Sequence, residues 1–199
     1  MWATFWEPAL AELGLPYKEG LAEAARGTAG ETTRKVVRSF YGEDCDANAI
    51  IDNLHKVADK AFEPPVPKKP GIDELLAWLE QQHIPMAVAS SSREFAIRHH
   101  LDNWNMTHYF QAIVSGQHVT RSKPDPEIFL LAAEKLGVDP AHCLVLEDSY
   151  NGVRAGAAGG FVTVMVPDLM PPDDEMRRLC TTVCKSLYEV QEKLQKNEL

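Results

Sequence analysis

Residues 72–166 alternate between amphipathic helical segments and short apolar runs, and this alternation restricts the fold more than any other feature of the sequence. The predicted helices cover residues 72–82, 94–104, 125–136 and 150–158, and the predicted strands cover 84–89, 112–115, 143–146 and 161–166. Short apolar runs that alternate with helices are typical of parallel strands buried on both faces. The pattern predicts an α/β fold with a doubly wound parallel sheet and helices on both of its faces.

The residues before this region show only helical spacing. Apolar side chains recur at intervals of three and four around Phe5 and Leu10, and again around Val37 and Tyr41, with no run typical of a strand. Four prolines follow between residues 63 and 71, where they prevent a helix from continuing. We therefore predict two parts, an all-helical segment at residues 1–66 and an α/β part at 67–199, with a boundary or hinge in the proline-rich segment. A polar terminal helix is predicted within residues 186–199.

Composition excludes several classes of function. The chain has 20 Lys and Arg against 29 Asp and Glu, a net charge of −9, and no basic block, so an extended surface for nucleic acid or anionic lipid is not expected. A small anion held by a few local cations remains compatible with this charge. No apolar run reaches the length of a membrane span, and the start of the chain does not resemble a signal peptide, so we predict a cytoplasmic protein.

The four cysteines are interpreted as reduced thiols. Cys180 and Cys184 would share a face if their segment were helical, but no third metal ligand is spaced near them.

Three polar clusters follow predicted strands, and ligands of doubly wound folds gather at the carboxyl ends of the strands. The first cluster is Ser90, Ser91 and Ser92. Hydroxyls and backbone N–H groups at the start of a helix can bind phosphate oxygens, although an ordinary helix cap is the simpler explanation for these serines.

The second and third clusters add charged groups. Lys123 lies in a turn stiffened by Pro124 and Pro126, so it could neutralise a phosphoryl oxygen or could be a solvated turn residue. Glu147 and Asp148 end an apolar run. Paired acids there suit a hard cation such as Mg²⁺, while the alternative, an acidic helix start, explains Asp148 better than it explains the pair.

A hydroxyl cluster, a lysine and an acid pair at strand ends are the groups that phosphoryl transfer requires. With these motifs the chain resembles the haloacid dehalogenase-like superfamily, in particular its branch of β-phosphoglucomutase-like proteins and sugar-phosphate phosphatases. The resemblance extends over nearly the whole chain. It is carried by Pro70-Gly71, residues 88–92, residues 122–129, and residues 145–149 followed by Gly152, Ala155, Gly156 and Ala158.

The resemblance implies roles for these residues. Ser90, with Ser91 beside it, would bind the transferring phosphoryl group, and Lys123 would bridge that group to the nucleophile. Asp148 and Glu147 would hold Mg²⁺. Residues 1–66 would form a helical cap over the substrate, a small phosphorylated metabolite of the sugar-phosphate kind. Arg26 in this cap could contact the distal part of the substrate, or could be a solvated helix arginine.

One family motif has no match. The family's first strand ends in Asp-x-Asp, which provides the nucleophile and the general acid/base. The first aspartate here is Asp44, inside the predicted cap, and no strand precedes it. We therefore expect that the first core strand is missing from this chain and that the chain alone is inactive. The alternatives are a phosphatase whose nucleophile lies outside these residues, a catalytically silent binding or regulatory protein, and a phosphomutase. The oligomeric state is open.

Overall fold

The computed structural model describes residues 3–28, 30–61 and 67–199. Its N-terminal helical part, residues 3–28 and 30–61, contains α1 (Ala3–Glu12), α2 (Leu21–Ala24), α3 (Gly30–Tyr41) and α4 (Ala47–Ala61). These helices pack around one apolar cluster that includes Trp6, Leu10, Leu21, Val37 and Ile50. Part of the predicted hinge at residues 63–71 lies outside the described residues.

The rest of the described chain is an α/β part. Its helices are α5 (Ile72–Gln81), α6 (Glu94–Asn103), α7 (Glu127–Leu136), α8 (Tyr150–Ala158), α9 (Asp174–Leu179) and α10 (Leu187–Gln195). Its strands are β1 (Ala87–Ser90), β2 (Ala112–Ser115), β3 (Leu144–Glu147), β4 (Val162–Met165) and β5 (Thr182–Val183). The α/β alternation predicted from the sequence is confirmed, and every pair of neighbouring strands is parallel.

Several element ends differ from the prediction for local reasons. Strand β1 begins at Ala87 rather than at residue 84, and Pro85, two residues before it, has no N–H to give to a ladder. Helix α7 begins at Glu127 because Pro126 occupies its N-cap position and disfavours helical geometry at Asp125.

The segment around Cys180 and Cys184 contains the short strand β5, so the helical face considered for these two cysteines is wrong. Both thiols are buried.

The strands form two sheets. β1 pairs with β2, with Ser90 opposite Ser115, and β3 pairs with β4, which pairs with β5. Within the described ranges no ladder joins β1 to β3. A single apolar cluster nevertheless extends under both sheets, because Phe129 on α7 belongs to the same cluster as Val114 on β2 and Val145 on β3.

Among the described strands, β1 pairs only with β2 and β3 pairs only with β4, so one edge of each has no ladder partner. All four residues of β1 are only half-buried, and Leu146 on β3 is 36% exposed. Central strands of a doubly wound sheet are normally covered on both faces. The space between β1 and β3 is called the inter-sheet gap below.

No helix among the described residues is long and apolar enough to cross a lipid bilayer.

Candidate functional site

A cavity of about 1280 Å³ lies between the N-terminal helical part and the carboxyl ends of β1 and β3. The predicted site residues Ser90, Ser91, Lys123, Glu147, Asp148 and Arg26 all line it. The structure therefore brings together the three strand-end clusters and the Arg26 stretch, which are separated by up to 122 positions in sequence.

Ser90 is the last residue of β1, and Ser91 and Ser92 begin the connection to α6. Residues 90–92 are called the serine loop below. The backbone N–H of Ser92 donates to Oγ of Ser90 at 3.2 Å, a turn that serine hydroxyls favour before a helix. Arg93 occupies the N-cap position of α6 with extended backbone. The loop thus directs hydroxyls and the N-terminal end of a ten-residue helix toward the cavity, an arrangement suited to an anion.

Lys123 is one of the few buried charged residues described, with 5% exposure. Its Nζ forms an ion pair with Oε1 of Glu147, lies 3.4 Å from the carbonyl oxygen of Ala89, and lies 4.5 Å from the centre of the Phe129 ring. These contacts place one cation between the end of β1 and the end of β3. The solvated-turn interpretation of Lys123 is therefore wrong.

Glu147 is fixed from two sides. Oε1 accepts from Lys123, and Oε2 accepts from both the hydroxyl and the N–H of Ser149, at 3.0 and 3.3 Å. Its carboxylate also lies against Gly152 in the first turn of α8. A Cβ atom at that position would be 2.0 Å from Cδ of Glu147, so glycine is required for the carboxylate to occupy this place.

Asp148 has a different environment. Its side chain is exposed toward the cavity, yet the protein atoms around it still desolvate the carboxyl, and this desolvation raises its pKa, with the charge of Glu147 as the second cause. In the described part of the chain no cation lies within ion-pair distance of Asp148; the nearby Lys69 pairs with Asp168 at 2.6 Å. An uncompensated carboxylate next to another acid is suited to a hard cation.

Asp148 is therefore the better candidate ligand for Mg²⁺, because the Glu147 carboxylate already forms an ion pair with Lys123. The described residues contain no group of three or more His, Cys, Asp or Glu side chains that could hold a metal ion. A cation bound at Asp148 would need further oxygen ligands, such as water and phosphate oxygens, which Mg²⁺ commonly retains.

The N-terminal helical part contacts the site at two points. Nδ2 of Asn151, three residues after Asp148, donates to the carbonyl oxygen of Arg26 at 3.1 Å. Gly27 has φ of +70° and approaches Asn151 closely. On the other side of the cavity, Arg93 forms an ion pair with Asp59 on α4.

The side chain of Arg26 is half-buried in the cavity wall, and no acid in the described ranges lies within ion-pair distance of it.

Sequence reasoning missed Arg93, Asn151, Ser115 and Asp168. Ser115 ends β2, and the other three follow a strand end by no more than four residues, so their position in the predicted sheet was the available signal. Their contacts depend on which distant segments pack against them, and the sequence alone did not provide that information.

Comparisons with known proteins agree with this geometry. The sequence profile of haloacid dehalogenase-like hydrolases matches residues 2–166. The fructose-1-phosphate phosphatase YqaB of Escherichia coli K12 is 29% identical over 161 residues, which cover 81% of this chain and 85% of that protein. The phosphorylated carbohydrates phosphatase of Thermotoga maritima is 29% identical over 147 residues, 74% of this chain and 68% of that protein.

A similar fold is found in the solved structure of β-phosphoglucomutase from Clostridium difficile. It superposes with a TM-score of 0.79 at 20% identity, covering 99% of this chain and 92% of that one. The resemblance inferred from the strand-end motifs is confirmed: the chain belongs to the haloacid dehalogenase-like hydrolase family.

Proposed function

We propose that this protein is the cap-bearing scaffold of a Mg²⁺-dependent phosphohydrolase that acts on small phosphorylated metabolites of the sugar-phosphate class. The observation that carries the proposal is the buried Lys123 between two parallel strand ends, with the serine loop on one side and the uncompensated Asp148 on the other. The two relatives described above are named as phosphatases of fructose 1-phosphate and of phosphorylated carbohydrates. Their names support the substrate class.

Each residue has a role that follows from its surroundings. Ser90 and Ser91 would donate hydrogen bonds to phosphoryl oxygens, and Lys123 would neutralise their charge at short range, where low exposure strengthens the interaction. Asp148 would hold Mg²⁺, which supplies further positive charge beside the phosphoryl group when bound. The N-terminal helical part, as a cap over the cavity, would limit the access of water and contact the sugar through Arg26.

The proposed nucleophile is a carboxylate on a parallel strand that fills the inter-sheet gap. A strand placed there would end beside Lys123, because the carboxyl ends of parallel strands lie at the same edge. One carboxylate oxygen would attack phosphorus as the ester P–O bond breaks, and the leaving alcohol would take a proton from a neighbouring acid. Water would then attack the acyl phosphate, which releases inorganic phosphate and restores the carboxylate.

A second candidate is a catalytically silent anion-binding protein. It is favoured by one observation: Lys123 is already neutralised by Glu147, so the described site holds together without a further acid. The two candidates differ in whether a supplied Asp-x-Asp strand produces turnover.

The test is to join an apolar strand ending in Asp-x-Asp to residue 1 through a flexible linker and to assay release of phosphate from p-nitrophenyl phosphate and from a panel of sugar phosphates. We expect turnover that needs Mg²⁺ and stops with EDTA. The matched control carries Asn in place of the first Asp of the added motif, and Asp148→Asn is the control for the metal site. A folded fusion that binds phosphate without turnover would overturn the phosphohydrolase and favour the silent candidate.

A further inference from the structure

The turn after β2 is fastened to the loop that begins α6. Three contacts join residues 115–118 to residues 92–94: Oγ of Ser115 donates to the carbonyl oxygen of Ser92 at 2.7 Å, the N–H of Glu94 donates to Oε1 of Gln117 at 3.1 Å, and Nε2 of His118 lies 2.9 Å from Oε2 of Glu94. Of these residues only Ser92 belongs to the strand-end clusters that the sequence singled out.

Ser115 lies at the centre of this arrangement. It is completely buried, and its hydroxyl is used both as a donor, to Ser92, and as an acceptor, from the N–H of Gln117 at 3.1 Å. A buried hydroxyl with both capacities satisfied holds its partners firmly, because losing either bond would leave a polar group without water. Alanine at this position would leave the Ser92 carbonyl and the Gln117 N–H without their partner.

His118 contacts both the backbone of Ser115 and the side chain of Glu94. The N–H of Ser115 donates to Nδ1 of His118 at 3.1 Å, so Nδ1 acts as an acceptor and carries no proton. The proton of the neutral ring is then on Nε2, where it can be donated to Glu94. The imidazole therefore links the backbone of β2 to the first residue of α6.

These contacts act on the serine loop. Ser90 lies opposite Ser115 in the strand register, and Ser92 is held through its carbonyl, so both ends of the loop are positioned from β2. A loop that binds an anion with its hydroxyls depends on such support, since a displacement of about 1 Å can greatly weaken a preorganised site.

We propose that Ser115 and His118 are positioning residues, which hold the serine loop in the geometry that binds the phosphoryl group of the substrate. The inference rests on the proposed function, because it takes the serine loop to be the phosphate-binding element. Neither residue lines the cavity among the residues described, so their effect on phosphate passes through Ser92 and Glu94.

The test measures binding of inorganic phosphate to the protein by ³¹P NMR titration in the presence of Mg²⁺. We expect Ser115→Ala to weaken the phosphate Kd about tenfold, because the serine loop loses the buried hydrogen bond between Oγ of Ser115 and the Ser92 carbonyl. His118→Ala should also weaken binding. His118→Asn should keep an affinity closer to that of the parent protein, because the Asn Oδ1 can accept from the Ser115 N–H in place of Nδ1.

The matched control is Val190→Ala, which removes two methyl groups from a fully buried position in the cluster around α10. It should lower the thermal midpoint without changing the phosphate Kd. Amide hydrogen exchange of residues 91–93 should accelerate in Ser115→Ala and His118→Ala and not in Val190→Ala.

Unchanged phosphate affinity in folded Ser115→Ala and His118→Ala would overturn the positioning role. If Ser115→Ala does not fold, the comparison of His118→Ala with His118→Asn decides, and equal affinities of these two variants contradict the inference. A parent protein that binds no phosphate contradicts the proposed function itself and the inference with it.

Discussion

The ion pair of Lys123 and Glu147 is the most deeply buried ion pair among the described residues, with side-chain exposures of 6% and 9%. Lys123→Ala would leave the Glu147 carboxylate buried without its cation, which costs about 3 kcal/mol of unfolding free energy or more. Lys69→Ala breaks the exposed pair with Asp168 and should cost at most about 1 kcal/mol. Urea denaturation measures both. Equal losses of unfolding free energy for Lys123→Ala and Lys69→Ala would show that burial does not raise the cost of breaking the Lys123–Glu147 pair.

Gly152 sets the position of Glu147. Alanine normally stabilises a helix interior by about 1 kcal/mol relative to glycine, but here the new Cβ would overlap the Glu147 carboxylate. We expect Gly152→Ala to lower the unfolding free energy by about 2 kcal/mol through overpacking. In a Glu147→Ala background the clash disappears, so the same substitution should be neutral or favourable. A double-mutant cycle in urea tests this, and additive effects would contradict it.

The raised pKa of the Asp148 carboxyl predicts the direction in which the stability of the fold changes with pH. In the unfolded chain the carboxyl titrates near its ordinary value of 3.8, so between that pH and the raised pKa the folded state binds more protons. Stability from this group is therefore lost as pH rises through the window. Without metal, Asp148→Asn should melt at a higher temperature than the parent at pH 7, and the difference should vanish below pH 3.8.

Thermal scans in EDTA at several pH values measure this difference. Adding Mg²⁺ should then stabilise the parent and not the variant. Parallel curves for the two proteins across the whole range would refute the assignment of a destabilising carboxylate at Asp148.

At the scale of elements, hydrophobic periodicity was sufficient for the helices and strands between residues 72 and 166. The helices there have nine or ten residues, enough to show a period, and the strands between them are apolar runs. Strand β5 has two residues, Thr182 and Val183, and helix α9 has six, so neither shows a period that can be distinguished from a loop. They take their structure from pairing with β4 and packing on α8, which are tertiary effects.

Among the described residues, the Asn151–Arg26 hydrogen bond and the Arg93–Asp59 ion pair join the α/β part to the N-terminal helical part. The Arg93–Asp59 ion pair is the contact that removal of a charge can test. Its side chains are about one third exposed, so Asp59→Asn should change the unfolding free energy by less than about 1 kcal/mol. It should nevertheless release one side of the cap, which would increase the radius of gyration in small-angle X-ray scattering.

The matched control for this contact is Glu192→Gln, which removes the exposed pair with Lys196 within α10. It should leave the scattering curve unchanged. An identical radius of gyration for Asp59→Asn and the parent would mean that the Arg93 pair does not restrain the cap.

At the scale of the whole molecule, the sequence predicted the position of the site better than it predicted the contacts between the site residues. Ser90, Lys123 and Asp148 were expected to meet because parallel strands end at one edge, and they do line one cavity. The ion pair of Lys123 with Glu147 could not be predicted, because it depends on the separation of β1 and β3 in space. The same separation produces the inter-sheet gap, which has consequences for backbone stability.

Amide exchange reports on that gap directly. Alternate N–H groups of a parallel strand point to opposite edges, so β1 and β3 each direct some amides toward β2 or β4 and the others toward the gap. Because no ladder joins β1 to β3 in the described chain, we expect the gap-facing amides to exchange much faster than their neighbours. Val164 and Met165 on β4 pair on both sides and serve as the internal reference for uniform protection.

Joining the apolar strand described under the proposed function should slow exchange at the gap-facing amides of β1 and β3 and leave those of β4 unchanged. A control strand of the same length, with prolines at alternate positions, cannot pair and should leave the exchange rates of all these amides unchanged. Uniform protection of β1 and β3 in the protein without the added strand would contradict an open gap. The proposed nucleophile lies on the strand that fills this gap. If the pairing strand protects these amides and the control strand does not, the same strand both completes the sheet and positions the nucleophile.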